Sequence, residues 1–224
     1  MSAFTESNAV GDRPDRSRRP VRSGVPLEPG HCYHIYNRGV NRTNIFLEDR
    51  NYAYFMQLYA KYIVPVADTF SYCLLRNHFH LLVRIKEEQD LPTDLSGLTP
   101  GLKRPSLSQP FSNLFNAYTK AINKAYGRTG ALFQRAFRRL PVTSDHHFVA
   151  LIHYIHHNPQ THGFVSDFRE WPYSSYHALS SDTPTQLART AVLGWFGGLQ
   201  ALRQFHTRPA DATSIRTFIG EDEA

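Results

Sequence analysis

The sequence has little cysteine, no long apolar run and one long stretch without acidic residues. Its two cysteines, among 224 residues, are too few for a disulfide framework, and no secretory signal precedes them. No stretch approaches the length of a membrane span, which argues against a membrane partner. We therefore expect a reduced, cytoplasmic protein, and a hydrophobic content of 41% allows one well-buried domain.

Acidic residues are absent from residues 101–143, which contain eight lysines and arginines. This charge exceeds the net +6 of the whole chain, so the rest of the sequence is slightly acidic. A local field of one sign favours a phosphate backbone, although a solvated basic face has the same composition. The candidate DNA-binding residues are Arg38, which lies outside this stretch, and six residues within it: Lys120, Lys124, Arg128, Arg135, Arg138 and Arg139.

The hydrophobic pattern predicts the order strand, helix, strand, strand, helix, strand, helix. The predicted strands are 31–38, 66–75, 78–85 and 132–142, and the predicted helices are 49–64, 110–126 and 144–158. The first six elements match a ferredoxin-like α+β unit with an antiparallel sheet. The last helix would be an addition that packs on one face of that sheet.

The flanking sequence divides the chain further. Residues 1–30 are rich in Pro, Gly, Ser and Arg without periodicity, which predicts a disordered N-terminal tail. Residues 31–178 form the predicted domain, with a polar loop at 87–105. Residues 179–224 read as a C-terminal extension with one helix at about 190–205.

Two short motifs, far apart in sequence, carry the candidate chemistry. Strand side chains repeat every second residue, so His78 and His80 would lie on one face. A helix brings residues i and i+4 together, so Tyr154 and Asn158 would share a face. Two imidazoles, an amide oxygen and a phenol suit a divalent metal ion with a tyrosine nucleophile beside it.

Each motif also has a simpler interpretation. Strand histidines are often packed without binding metal, and the chain has 12 histidines. Tyr154 could be a boundary core residue with its hydroxyl group in water, and Asn158 could simply end the helix before Pro159. The neighbouring His153, His156 and His157 could be rival metal ligands, although most of them are expected on the surface.

The ordered motifs together resemble the single-tyrosine HUH transposases, and within them the REP-associated tyrosine transposases. The family name denotes histidine, bulky hydrophobic, histidine, which His78-Phe79-His80 fits, and the most specific segment is Tyr154-Ile155-His156-His157-Asn158-Pro159. Other matching segments are Tyr33-His34 through Asn37-Arg38-Gly39, Tyr126-Gly127-Arg128, Leu132-Phe133-Gln134, His162-Gly163-Phe164-Val165 and Trp171-Pro172-Tyr173-Ser174-Ser175-Tyr176. The resemblance covers about residues 31–176. The chain departs from the family at Arg76, where proline is usual. It also departs at Arg135, because the family usually has its arginine directly before an aromatic residue and here Ala136 separates Arg135 from Phe137.

The resemblance implies a metal-dependent transposase that cleaves and rejoins single-stranded or hairpin DNA. His78, His80 and Asn158 would bind Mg²⁺ or Mn²⁺, and Tyr154 would attack phosphorus to give a 5′-phosphotyrosine and a free 3′-hydroxyl. Such proteins act as a monomer or a homodimer. Three alternatives stay open: Tyr118 as the nucleophile, a hydrolase that activates water, and a non-catalytic nucleic-acid-binding module on the same fold.

Overall fold

A computed structural model describes residues 25–92, 106–134 and 136–209. Within these ranges, four antiparallel strands form one sheet in the order β2-β3-β1-β4. The strands are β1 (Cys32–Arg38), β2 (Ala67–Leu74), β3 (His78–Ile85) and β4 (Arg138–Val142). The helices are α1 (Asp49–Tyr62), α2 (Gln109–Ala125), α3 (Asp145–Thr161), α4 (Tyr176–Leu179), α5 (Arg189–Phe196) and α6 (Leu199–Phe205). The predicted ferredoxin-like α+β fold is confirmed.

The sheet carries helices on both faces. The helices α1 and α2 cover one face, where they enclose an aromatic core that includes Phe55, Phe79 and Phe115. The helix α3 covers the other face, where Leu151 and Ile152 lie in a second core cluster. Because side chains alternate along a strand, β3 contributes Phe79 to the first core and its two histidines to the face under α3.

The helix α3 begins where the sequence predicted and ends later. Ser144 is its N-cap, and the hydroxyl group accepts a hydrogen bond from the N–H of His147 at 3.2 Å. Pro159 was expected to end the helix near residue 158, and this boundary is wrong by three residues. Proline removes a single donor, and the N–H of His162 still donates to the carbonyl of Asn158 at 3.0 Å, so the last turn closes.

The last predicted strand is shorter than expected. Pairing with β1 begins at Arg138, whereas the sequence predicted a strand from residue 132. Ala136 has a left-handed φ of 55°, which interrupts the extended backbone. Phe133 instead forms a separate bridge to Gly39, so this loop lies against the end of β1.

The C-terminal helix predicted at about 190–205 is two helices. Gly197 and Gly198 have φ values of 81° and 111°, conformations that strongly favour glycine, and they separate α5 from α6. Both helices pack against the domain, since Val192 and Leu202 are buried in the same cluster as α3.

The described N-terminal residues also lie against the domain. Leu27 is buried in the core, and the hydroxyl group of Tyr33 donates to the carbonyl of Pro26 at 3.1 Å. Residues 1–24, 93–105 and 210–224 lie outside the described residues, and with them most of the predicted tail, much of the polar loop and the end of the extension. In the described parts of the chain, no helix is long and apolar enough to cross a membrane.

Candidate active site

Four of the predicted side chains meet on the face of the sheet that α3 covers. The rings of His78 and His80 lie with their centroids 5.2 Å apart. The ring of Tyr154 stands edge-on to His80 with a centroid distance of 5.3 Å. The amide oxygen Oδ1 of Asn158 lies 2.9 Å from Nε2 of His78. All four come from one chain, and none is more than 6% exposed.

His78 lies between two amide oxygens. Its Nδ1 is 2.7 Å from Oδ1 of Asn77, and its Nε2 is 2.9 Å from Oδ1 of Asn158. A neutral imidazole donates from only one nitrogen, so it presents a lone pair to one of these two oxygens. Burial lowers the pKa of His78 to about 3, so protonating both nitrogens is unfavourable near neutral pH. If Nδ1 donates to Asn77, Nε2 presents its lone pair to the Asn158 oxygen, and a cation between these two atoms would turn that repulsive contact into two ligand bonds.

The donor set fits Mg²⁺ or Mn²⁺. Two ligands at a right angle, each about 2.1 Å from an octahedral metal ion, are about 3 Å apart. The distance from His78 Nε2 to Asn158 Oδ1 is 2.9 Å. Among the described residues, no three His, Cys, Asp or Glu side chains could hold one metal ion together, and the amide oxygen of Asn158 would be the third protein ligand beside the two histidines.

Arg38 is the predicted DNA-binding residue that lies at this site. It is half-buried at the end of β1 and pairs with His78 across the β1–β3 register. Burial is the main cause of the low pKa values of His78, His80 and His162, and the positive charge of Arg38 lowers all three further. A phosphate bound at this end of the sheet would therefore be near a guanidinium group.

The other predicted DNA-binding residues lie elsewhere on the domain. Lys120 and Lys124 are exposed on α2, on the opposite side of the sheet, and Arg128 follows that helix. Arg138 is exposed on β4, whereas Arg139 is half-buried. Nε of Arg139 donates to the carbonyl of Val25 at 2.6 Å, so this side chain makes a contact within the protein. Arg135 lies outside the described residues.

Tyr118 is poorly placed to act as the nucleophile. It is fully buried in the core formed with α1 and α2, on the far side of the sheet from His78 and His80. Its hydroxyl group donates to the carbonyl of Ile45 at 2.8 Å. Burial also raises its pKa above the ordinary tyrosine value, which disfavours the phenolate.

The three neighbouring histidines of α3 are buried, so the prediction that they lie on the surface is wrong. His153, His156 and His157 are at most 6% exposed. The end of α6 lies against them: Phe205 packs edge-on to His153, and Nε2 of His206, which follows the helix, is 2.8 Å from Nδ1 of His156. The sequence held a signal for this, because α3 has no charged residue after Asp145 and so lacks the polar face of a surface helix.

The segment 171–176 connects α3 to the edge strand β2. Nε2 of His156 lies 2.9 Å from the hydroxyl oxygen of Ser175 and 3.1 Å from that of Ser71. The indole N–H of Trp171 donates to a carbonyl of β2 at 2.9 Å. These contacts hold the helix that carries Tyr154 close to the strand beside β3. Sequence reasoning identified this segment as a family motif and missed its structural role.

The buried histidines predict a strong loss of stability in acid. Burial lowers the pKa values of His34, His78 and His206 to about 3 in the folded protein, below the ordinary value of 6.5. Unfolding therefore takes up protons below pH 6.5, so their stabilisation is complete above that pH and is lost as the pH falls toward 3. Each of these three histidines should lower the free energy of unfolding by about 2 kcal/mol at about pH 5, relative to its value above pH 6.5.

Urea unfolding of the metal-free protein, measured from about pH 8 to about pH 5, tests this expectation. The free energy of unfolding should fall steeply in the lower half of the range. The variant His206→Gln should take up about one proton fewer on unfolding, so its free energy of unfolding should depend less steeply on pH. Equal stability of the wild type at both ends of the range would contradict the expectation.

Comparisons with known proteins support the resemblance. No protein-family model matches the chain. Over 113 residues it is 28% identical to a REP-associated tyrosine transposase of Haemophilus influenzae, a match that covers 49% of this chain and 59% of that protein. The matched region thus spans less than two thirds of that relative.

A solved structure shares the fold. It is a REP-associated tyrosine transposase bound to a REP hairpin, with a TM-score of 0.52, 16% identity, and coverage of 69% of this chain and 82% of that chain. Sequence similarity and fold agree with the motifs read from the sequence. The chain is therefore similar in sequence to one REP-associated tyrosine transposase and shares its fold with another.

Proposed function

We propose that this protein is a metal-dependent transposase that cleaves and rejoins single-stranded DNA next to a hairpin. The observation that carries the proposal is the meeting of His78, His80, Asn158 and Tyr154 on one buried face. The relation to a REP-associated tyrosine transposase supports the reaction class, and the shared fold with a relative bound to a REP hairpin supports the substrate.

Tyr154 is the proposed nucleophile. Its phenolic oxygen attacks the phosphorus of the scissile phosphodiester and loses its proton as the new P–O bond forms. The bond from phosphorus to the 3′ oxygen breaks, and that oxygen takes up a proton. The products are a 5′-phosphotyrosine on Tyr154 and a free 3′-hydroxyl.

His78, His80 and Asn158 are the proposed holders of a divalent cation. Mg²⁺ or Mn²⁺, when bound there, supplies Lewis-acid polarisation of the phosphate. Arg38 adds a fixed positive charge at the same end of β1, where it can pair with a phosphate oxygen. One chain supplies all of these side chains, so the site needs no second copy.

The covalent intermediate explains how cleavage and rejoining share one site. A phosphotyrosine bond keeps the free energy of the phosphodiester, so a 3′-hydroxyl can attack it and release Tyr154. No nucleotide cofactor is needed. The proposed reaction is therefore reversible strand transfer and not hydrolysis.

A covalent-capture assay tests the proposed function. The full chain is incubated with end-labelled single-stranded oligonucleotides that share a hairpin and have randomised flanks, with Mn²⁺ or with EDTA. We expect a protease-sensitive protein–DNA adduct on a denaturing gel with Mn²⁺, and none with EDTA. A second pool without the hairpin should give much less adduct.

The other outcomes favour the alternative functions. Cleavage that turns over without any adduct would indicate a hydrolase that activates water. Metal-independent binding of the pool without cleavage would indicate a nucleic-acid-binding module. Either result would contradict the proposal.

A further inference from the structure

A third histidine, from β1, lies beside His80, one of the proposed metal ligands. Nε2 of His34 is 3.0 Å from Nδ1 of His80, and the two rings are stacked with centroids 5.2 Å apart. His34 is fully buried, and its ring also stacks on Tyr36 at 4.8 Å. These contacts leave the imidazole of His34 little freedom to rotate.

The direction of this hydrogen bond depends on which nitrogen of His80 carries the proton. If Nε2 of His80 is to bind a cation, its proton must lie on Nδ1. Nδ1 then donates, and Nε2 of His34 is the atom that accepts. The second ring N–H of a metal-binding histidine usually donates to a carboxylate, a carbonyl or water. Here the acceptor would be the imidazole of His34.

This arrangement leaves a polar atom of His34 unsatisfied. The proton of His34 must then lie on Nδ1, which is buried and has no hydrogen-bond partner among the described residues. A buried N–H group without an acceptor costs stability. The geometry is better explained by the orientation that His34 imposes on His80.

We propose that His34 is a positioning residue that accepts a hydrogen bond from Nδ1 of His80 and thereby aims Nε2 of His80 at the metal ion. The inference rests on the metal site of the proposed function. It assigns to His34 a role in metal affinity, without contact to the substrate or the reacting atoms.

Two variants separate positioning from packing. His34→Phe keeps an aromatic ring against Tyr36 and His80 and removes the acceptor. His34→Gln retains an amide oxygen at about the distance of Nε2 from the backbone and so can accept the same hydrogen bond. Mn²⁺ affinity by calorimetry and the thermal unfolding temperature are measured for both variants and the wild type.

We expect His34→Phe to bind Mn²⁺ about 10- to 100-fold more weakly than the wild type. Its unfolding temperature should change little, because the substitution removes the unsatisfied nitrogen of His34 but leaves the buried Nδ1–H of His80 without its acceptor. His34→Gln should recover most of the affinity. Raising the Mn²⁺ concentration should also restore adduct formation by His34→Phe, as expected for a defect in metal affinity alone.

The possible failures are distinguishable. If the wild type does not bind Mn²⁺, the metal site of the proposed function fails. If the wild type binds and His34→Phe binds equally well, only the role of His34 is overturned. If His34→Phe does not fold, His34→Met replaces it in the comparison with His34→Gln, and equal affinities of those two variants would overturn the role.

Discussion

Tyr154→Phe is expected to abolish formation of the covalent protein–DNA adduct. Phenylalanine keeps the ring that lies against His80 and within the core cluster, so the fold and DNA binding should be retained. The nucleophilic oxygen is lost, and strand cleavage should fall by at least about 10³-fold, as expected when a nucleophile is removed. Single-turnover cleavage of a hairpin substrate on a denaturing gel measures the loss.

Tyr118→Phe is the matched control. It removes one hydroxyl group from a tyrosine of the opposite core, together with the hydrogen bond to the carbonyl of Ile45. The expected cost is about 1 kcal/mol of stability, and adduct formation should stay near the wild-type rate. Loss of the adduct in Tyr118→Phe, with an unchanged adduct in Tyr154→Phe, would reverse the assignment of the nucleophile.

His78→Ala should remove metal binding and cleavage together. His78 offers one imidazole ligand, and the position of its Nε2 beside the Asn158 oxygen is the main structural argument for the site. Loss of a residue that only orients a metal ligand lowers metal affinity about 10- to 100-fold, and the loss of Mn²⁺ affinity in His78→Ala should be larger than that. Calorimetry measures the affinity, and the cleavage assay at a high Mn²⁺ concentration shows whether excess metal compensates.

His162→Ala is the control for that experiment. Its imidazole lies 5.0 Å from the ring of His78, so it tests whether any nearby histidine would have the same effect. No three histidines of the described residues could hold a metal ion together, and we therefore expect nearly wild-type affinity for His162→Ala. Equal losses in both variants would contradict the proposed ligand set.

Local patterns in the sequence predicted much of the fold. A run of apolar, strand-forming residues predicted β3 with its observed bounds, His78–Ile85. Ser144 was recognisable as an N-cap, because a serine before an apolar helix can satisfy a free backbone N–H. The order of elements then specified the sheet, since this order is typical of ferredoxin-like units. The i, i+4 spacing of Tyr154 and Asn158 likewise needed only local geometry.

Features that depend on contacts distant in sequence were not predictable. His34 and His80 are 46 residues apart, and their hydrogen bond depends on the register of β1 against β3. His206 and His156 are 50 residues apart, and their contact depends on how α6 folds back over α3. Tyr118 lies on a helix with basic residues, and only the packing of α2 shows that its hydroxyl group is engaged.

The central claim is that Tyr154 becomes linked to the 5′ phosphate of cleaved DNA. The most direct test is mass spectrometry of the trapped adduct after digestion with nuclease and protease. We expect the peptide that contains Tyr154 to be heavier by one nucleoside 5′-monophosphate joined through the tyrosine oxygen. A nucleotide attached to another residue, or strand cleavage with an unmodified Tyr154 throughout, would contradict the account.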